Sequence, residues 1–306
     1  MKIAIIGRSE ILYNVAEHLL AMGHDLACVL TAKAAPEYTR TAVDFHALAK
    51  RHNAPFSQGS HIKDNYKFLQ KAGAEISVSI NYPGVIPDEV IDLFPLGILN
   101  AHGGDLPRYR GNACQAWAIL NGEKKIGLCV HRMIGGELDS GDIIVRDYIS
   151  IDHNTKITKI WSWMTQRTPE LMSEALTRLS SDPNYILERQ STNAKDALRC
   201  YPRKPEDGRI DWRESALNIL RLINASNKPF AGAYCDFECD KLIIWDAELV
   251  NDDEVFCAVP GQITKIGESF IEVACGSGKL RLLMVEVNMQ SMEPSKLIQS
   301  VRKRLR

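Results

Sequence analysis

G-I-L-N-A-H-G-G-D-L-P-R-Y-R-G, residues 97 to 111, runs from an apolar segment straight into a glycine-rich loop. Read as a strand, Gly97 to His102 alternates with period two and puts Asn100 and His102 on one face. A carboxamide and an imidazole then converge where a strand meets a loop, the place where α/β proteins concentrate chemistry. Asp139 lies in a second glycine-flanked segment, I-G-G-E-L-D-S-G, residues 134 to 141. It would complete an amide–imidazole–carboxylate set suited to acyl transfer. Taken alone, Asn-x-His also reads as a hydrogen-bonded turn, and Asp139 as a hairpin residue.

Upstream, Lys2 to Ile6, Leu26 to Leu30 and Ile76 to Ile80 read as buried strands. Helical periodicity covers Ile11 to Met22, Phe45 to His52, Asn65 to Ala72 and Pro87 to Phe94, the last with Pro at its first position. N-Y-P-G-V-I-P, residues 81 to 87, is a turn by its Pro and Gly. This alternation predicts an α/β fold, a Rossmann-like, doubly wound, mostly parallel sheet. Downstream, Asn112 is placed to cap a helix through Leu120. Ile126 to Met133 and Asp142 to Ile149 are β-rich, and Thr155 to Leu179 is a long helical pattern.

Composition shifts near Tyr201, where P-R-K-P-E-D-G-R-I-D-W reads as a linker. The expected domains are therefore 1–200 and a smaller β-rich, OB-like subdomain, 201–306. Within the latter, Ser215 to Ala225 reads as a helix, Ala233 to Val287 as short β runs and Pro294 to Arg306 as a short basic helix.

The chain has 306 residues, 45% hydrophobic and 25% charged, the profile of an ordinary globular protein. A net charge of −1 provides no bulk attraction to nucleic acid or an anionic membrane, so nucleic acid is not the expected partner. The opening M-K-I-A-I-I-G lacks the length of a signal peptide, and no window is apolar enough to span a bilayer. A cytoplasmic protein is expected. Its eight scattered cysteines include no C-x-x-C pair and no zinc set, so they read as buried reduced thiols. Gly7 follows the first strand, but G-R-S-E-I-L lacks the second and third glycines of a dinucleotide fingerprint. A nicotinamide cofactor is set aside.

Asn100-Ala101-His102, Leu106-Pro107-Arg108-Tyr109-Arg110-Gly111, and His131-Arg132-Met133 with Asp139-Ser140-Gly141 together resemble the motifs of the 10-formyl-tetrahydrofolate-dependent formyltransferases. That family includes methionyl-tRNA, glycinamide-ribonucleotide and amino-sugar enzymes. The resemblance runs from Met1 to about Ile149 and, more weakly, into Arg203 to Trp212. It favours the amino-sugar members. The tRNA enzyme carries a long basic insertion after its second strand, whereas T-A-K-A-A-P-E-Y-T-R-T-A-V-D-F is short and weakly basic here. One departure stands out: His102-Gly103-Gly104-Asp105-Leu106, where the family has Ser-Leu-Leu before the Pro.

The resemblance implies 10-formyl-tetrahydrofolate as formyl donor and the primary amine of a small amino sugar, free or nucleotide-linked, as acceptor. His102 would serve as general base or, protonated, would stabilise the oxyanion; Asn100 would donate to that oxyanion; Asp139 would orient His102. No metal is needed. Tyr82, Pro83, Gly84, Val85 and Ile86, with Gly136, Glu137 and Leu138, are the implied pterin slot. Arg8, Ser9, Asp105, Tyr109, Arg110 and Asn112 are the candidate acceptor-binding residues, Asp105 as a partner for an ammonium group. His131 reads as structural. By analogy with the sugar enzymes, a homodimer is an expected assembly. Methionyl-tRNA formylation, hydrolysis of the formyl donor, and a catalytically silent folate-binding module are the alternatives.

Overall fold

A computed structural model describes residues 1–306. The chain divides into two compact units, one of residues 1–114, 126–149 and 161–201, the other of 115–125, 150–160 and 202–306. The division is thus not a single cut at residue 201. Two segments expected in the catalytic part, 115–125 and 150–160, cluster with the C-terminal residues instead.

In the first unit, strands β1 (Lys2–Gly7), β2 (Asp25–Thr31), β3 (Phe56–Gln58), β4 (Ile76–Ile80) and β5 (Ile98–His102) are parallel neighbours in the order β3-β2-β1-β4-β5. After the two-residue β6 (Arg110–Gly111) come β7 (Lys125–Arg132) and β8 (Ile143–Ser150), which extend the same sheet beyond β5. β7 runs antiparallel to β5, with Asn100 opposite His131 and His102 opposite Cys129. β6 pairs separately with β9 (Arg199–Cys200).

Local chemistry explains the helices that follow these strands in the chain. α1 (Glu10–Ala21) buries Ile11, Leu12, Val15, Ala16 and Leu19, one stripe at helical spacing. In α2 (Ala42–Arg51), Thr41 and Asp44 form a reciprocal capping box. α3 (Tyr66–Ala72) stops at Gly73 in left-handed backbone. α4 is a single turn, Asp88–Ile91, and Pro87 is its N-cap, not its first residue; the expected extension to Phe94 is absent because Pro95 and Leu96 turn the chain into β5. α5 (Cys114–Leu120) begins one residue later than expected. Ala113, at φ 53°, stands between it and Asn112, so Asn112 is not its cap. α6 (Ile157–Ser181) holds Leu171, Met172, Ala175, Leu176 and Leu179 in the core. No helix is long and apolar enough to cross a membrane.

The second unit is built on an antiparallel sheet. β10 (Ala233–Phe237), β11 (Asp240–Leu249), β12 (Ile263–Ile266), β13 (Ile271–Ala274), β14 (Lys279–Val287) and β15 (Gln290–Met292) pair in the order β10-β11-β14-β13-β12, with β15 on β14. Helix α7 (Ala216–Ala225), capped by Ser215, lays Ile219, Leu220 and Ile223 into its core. The segment read as a linker is part of this core: Trp212 is buried there, and Ile210 bonds to β10. The basic tail forms only one helical turn, α8 (Pro294–Leu297). Beyond it Leu305 is drawn into the core and Arg304 bridges to Gln262, which ends the helix.

Candidate functional site

The centre of the site is the carboxylate of Asp139, held at φ 50° in the loop between β7 and β8. Its Oδ1 accepts from Asn100 Nδ2 at 3.2 Å and lies 3.4 Å from His131 Nε2. Its Oδ2 accepts from the Gly111 backbone N–H at 2.9 Å and lies 3.5 Å from His102 Nδ1. Burial opposes the charge on Asp139, but His102, His131 and the Gly111 N–H outweigh it and hold the carboxyl well below the usual range. It is a fixed anion.

Period-two alternation along β5 brings Asn100 and His102 to this anion, as the sequence led us to expect. The antiparallel partner β7 adds His131, which is buried and was read as merely structural. His131 Nδ1 lies 2.8 Å from the Arg132 carbonyl, and its Nε2 lies 3.0 Å from Asn100 Nδ2. The amide nitrogen of Asn100 thus faces both His131 and Asp139, and no protein hydrogen bond uses its carbonyl oxygen, an acceptor.

His102 is 8% exposed, with Nε2 2.7 Å from the Tyr109 carbonyl and Nδ1 facing Asp139. Both nitrogens therefore face protein oxygens, Nε2 at hydrogen-bonding distance and Nδ1 across a 3.5 Å contact with the carboxylate. Gly104 makes this arrangement sterically feasible. A Cβ there would sit 2.5 Å from His102 Nε2 and 2.4 Å from the Tyr109 carbonyl oxygen. The glycine that departs from the family loop thus permits the close approach of Tyr109 to His102.

A residue that the sequence reading missed locks the assembly. Gln190, buried and 51 residues from Asp139, donates to the carbonyls of Asp139 at 2.9 Å and Gly141 at 2.7 Å. Its own Oε1 accepts from Arg110 Nη2 at 2.9 Å. Arg110 therefore braces the catalytic loop through Gln190. No local motif marks Gln190 in the sequence.

The other acceptor-side candidates divide. Asn112 is exposed and Tyr109 is buried. Asp105 is engaged through one oxygen: Tyr148 Oη donates to its Oδ1 at 2.9 Å and Arg146 lies 3.4 Å away, both carried in by β8. Ser9 is fully buried, with its hydroxyl 3.4 Å from Asn81 Nδ2, so it presents nothing to a ligand. Arg8 spends its guanidinium on the carbonyls of Asn81 and Lys33, tying strand ends together.

A cleft of about 420 Å³ opens beside the Asp139 loop, within the usual size for small-molecule sites. Tyr82, Gly84, Val85 and Gly136 line it as expected, joined by Ser60, His61, Ile62, Lys63, Asp64 and Pro87. Pro83, Glu137 and Leu138 are not in its wall, and Ile86 points into the core. The two walls are stitched by Gly135 N–H to Asp88 at 2.9 Å and Gly136 N–H to the Ile86 carbonyl at 3.3 Å. Tyr82 Oη donates to the Gly59 carbonyl at 3.0 Å, and burial pushes its phenol up to about 12.

The formyl transferase family profile matches residues 1–176, and the formyl transferase C-terminal domain profile matches residues 203–302. A methionyl-tRNA formyltransferase of Caldanaerobacter subterraneus subsp. tengcongensis is 31% identical over 294 residues, 94% of this chain and 92% of its own. The N-formyltransferase from Helicobacter canadensis, solved in complex with folinic acid and dTDP-3-aminofucose, shares the fold: TM-score 0.66 over 92% of this chain and 99% of its own, at 17% identity. HypX from Aquifex aeolicus in complex with tetrahydrofolic acid gives a TM-score of 0.62 over 98% of this chain but 47% of its own, at 16% identity. Motifs, fold and full-length similarity agree that this chain belongs to the formyl transferase family.

Proposed function

We propose that the chain transfers a formyl group from 10-formyl-tetrahydrofolate to the primary amine of a small amino sugar, free or nucleotide-linked. The observation that carries formyl transfer is the Asp139 carboxylate bridging Asn100 and His102. The folate supplies an activated formyl carbon and a leaving nitrogen; the cleft of Tyr82, Gly84, Val85 and Gly136 would hold its ring system.

The carbonyl oxygen of Asn100 accepts an amine hydrogen and aims the nitrogen lone pair at the formyl carbon. A new N–C bond forms and negative charge develops on the formyl oxygen. His102, carrying two protons and backed by Asp139, stabilises that charge, an interaction worth ~10²–10³ in rate when supplied by one such donor. Its Nε2 lets go of the Tyr109 carbonyl and gives a proton to the departing folate nitrogen as the old C–N bond breaks. The amine then returns its surplus proton to His102. One ring closes the proton cycle, and R–NH₂ becomes R–NH–CHO.

Support for a sugar acceptor comes from the loop after β2. Only ten residues, 32 to 41, separate β2 from α2. Tyr38 in that loop stacks on Trp161 at 6.2 Å, and the Thr39 N–H donates to Glu10. No basic arm extends from it. The second reading, methionyl-tRNA formylation, is favoured by the 31% identity to such an enzyme across nearly the whole chain. Tetrahydrofolate release measured with nucleotide-linked amino sugars and with charged methionyl-tRNA separates them. Sugar turnover that changes little between 50 and 200 mM salt is expected. Turnover confined to tRNA, with steep salt dependence, would transfer the assignment to the second reading.

A further inference from the structure

One cation takes no part in the steps above. Arg146, on β8, has a side chain only 15% exposed, and its guanidinium holds two segments of chain that are distant in sequence. On one side, Nη2 donates to the Leu106 carbonyl at 2.9 Å, and Nη1 lies 3.4 Å from Asp105 Oδ1. Nη1 also donates to Tyr148 Oη at 2.8 Å, and that hydroxyl donates to the same Asp105 oxygen at 2.9 Å. On the other side, Nη2 pairs with Glu188 Oε2 at 3.2 Å. A single planar cation thus sits between two carboxylates.

Each segment leads to one half of the His102–Asp139 pair. The turn at 104–106 lies flat on β7. Its Leu106 N–H donates to the Gly104 carbonyl at 3.0 Å, Cys129 Sγ donates to the same carbonyl at 3.4 Å, and a Cβ on Gly127 would sit 2.8 Å from the Asp105 Cα. Gly104 is the residue packed against His102 Nε2, so this turn is the wall on which the imidazole rests. The Glu188 segment is tied to the start of β8 by the Ile143 N–H, 2.8 Å from the Glu188 carbonyl. Two residues further on, Gln190 holds the carbonyls of Asp139 and Gly141. Arg146 therefore reaches His102 through one segment and Asp139 through the other.

We propose that Arg146 is a positioning residue, whose guanidinium sets the placement of the His102 ring against the Asp139 carboxylate while touching neither. The rigid fork presents Nη1 and Nη2 in fixed directions, so it can hold a carbonyl and two carboxylates at once, which a point charge on a flexible stem cannot. Without it, Asp105 and Glu188 would face one another as unneutralised acids in a partly buried place, and their repulsion would drive the two segments apart. The Leu106 carbonyl would also lose its donor. Tyr148 cannot compensate, because its one hydroxyl hydrogen already goes to Asp105. His102 Nδ1 and Asp139 Oδ2 are 3.5 Å apart, and a displacement of about 1 Å at such a pair costs ~10²-fold in rate.

The kinetic arm of the test rests on the formyl-transfer reading; the spectroscopic arm does not. In the full-length protein, Arg146→Met keeps an apolar stem and removes the fork, and Tyr148→Phe removes only the hydroxyl between Arg146 and Asp105. Steady-state kinetics are read beside long-range ¹H–¹⁵N correlation spectra of the histidine rings. In Arg146→Met, kcat should fall about 10- to 100-fold with donor KM within about twofold. The ring signals of His102 should move, while those of His46, packed on Phe56 of β3 at the opposite edge of the sheet from β8, should stay. Tyr148→Phe should show the same pattern with a loss of about two- to fivefold in kcat. Wild-type kcat with unmoved His102 signals in folded Arg146→Met would overturn the proposal. So would a matching rise in donor KM together with shifts at His46, which mark general loosening. If Arg146→Met does not fold, Tyr148→Phe decides by the same criteria. Absence of turnover in the wild type would count against the functional reading alone, and the His102 signals would still decide the positioning role.

Discussion

Four groups from β5, β7 and the 109–111 loop converge on one carboxylate at Asp139, whereas three residues earlier in the same loop Gly136 faces an open cleft walled by the turns at 60–64 and 82–87. The first region fixes side-chain atoms through contacts distant in sequence. The second fixes backbone direction through turns. Tight side-chain positioning is what a group-transfer centre needs, because misplacement by about 1 Å can cost ~10²-fold in rate. A slot for a flat ring system needs only shape and a few backbone hydrogen bonds. Variants on one side should therefore alter turnover, and variants on the other should alter binding.

The largest effects belong to the centre. His102→Ala and Asp139→Asn should each lower kcat by roughly 10³-fold. KM for the formyl donor should stay within about twofold, as steady-state kinetics would show. Equal losses in donor binding would erase the distinction between the two regions. Gln190→Ala sharpens it. This residue touches no reacting group and is a positioning residue, so kcat should drop about 10- to 100-fold with donor KM unchanged. Gln190→Glu should recover none of the loss, because it keeps the Arg110 contact but sets a carboxylate oxygen against the Asp139 and Gly141 carbonyls.

On the cleft side, Tyr82→Phe removes the bond to the Gly59 carbonyl. Donor KM should rise several-fold at constant kcat, with a stability loss of about 1 kcal/mol in urea titration. The smallest effect is one of pH. Asp139 has a depressed folded-state pKa, so its stabilisation is fully present above its unfolded value of roughly 3.9 and is lost as pH falls through the folded value. The stability gap between wild type and Asp139→Asn should hold between pH 5 and 6 and should narrow below about 4. A gap that narrows as pH falls from 6 to 5 would contradict the fixed-anion description.

The contrast also explains what the sequence disclosed. Asn100 and His102 were legible because strand alternation is local, and the Tyr82–Val85 wall because Pro and Gly announce a turn. The partnership of His131 with Asn100 was not, since it depends on the antiparallel register of β7 against β5. Gln190 was invisible for the same reason, its bonds spanning 49 and 51 residues. The contacts of Ser9 with Asn81 and of Asp105 with Tyr148 and Arg146 were not legible, because a strand-end position and a charge do not reveal their neighbours. The C-terminal tail was over-read as helix because its basic residues fit a helical face, while Leu305 is claimed by the core.

The most direct measurement is single-turnover formyl transfer by wild type and His102→Ala, with donor binding followed in parallel by fluorescence titration. The account predicts that both proteins bind 10-formyl-tetrahydrofolate with similar Kd while the transfer step slows by about three orders of magnitude in the variant. Transfer at near wild-type rate in His102→Ala would show that the Asp139-anchored imidazole is not the group that stabilises the transition state.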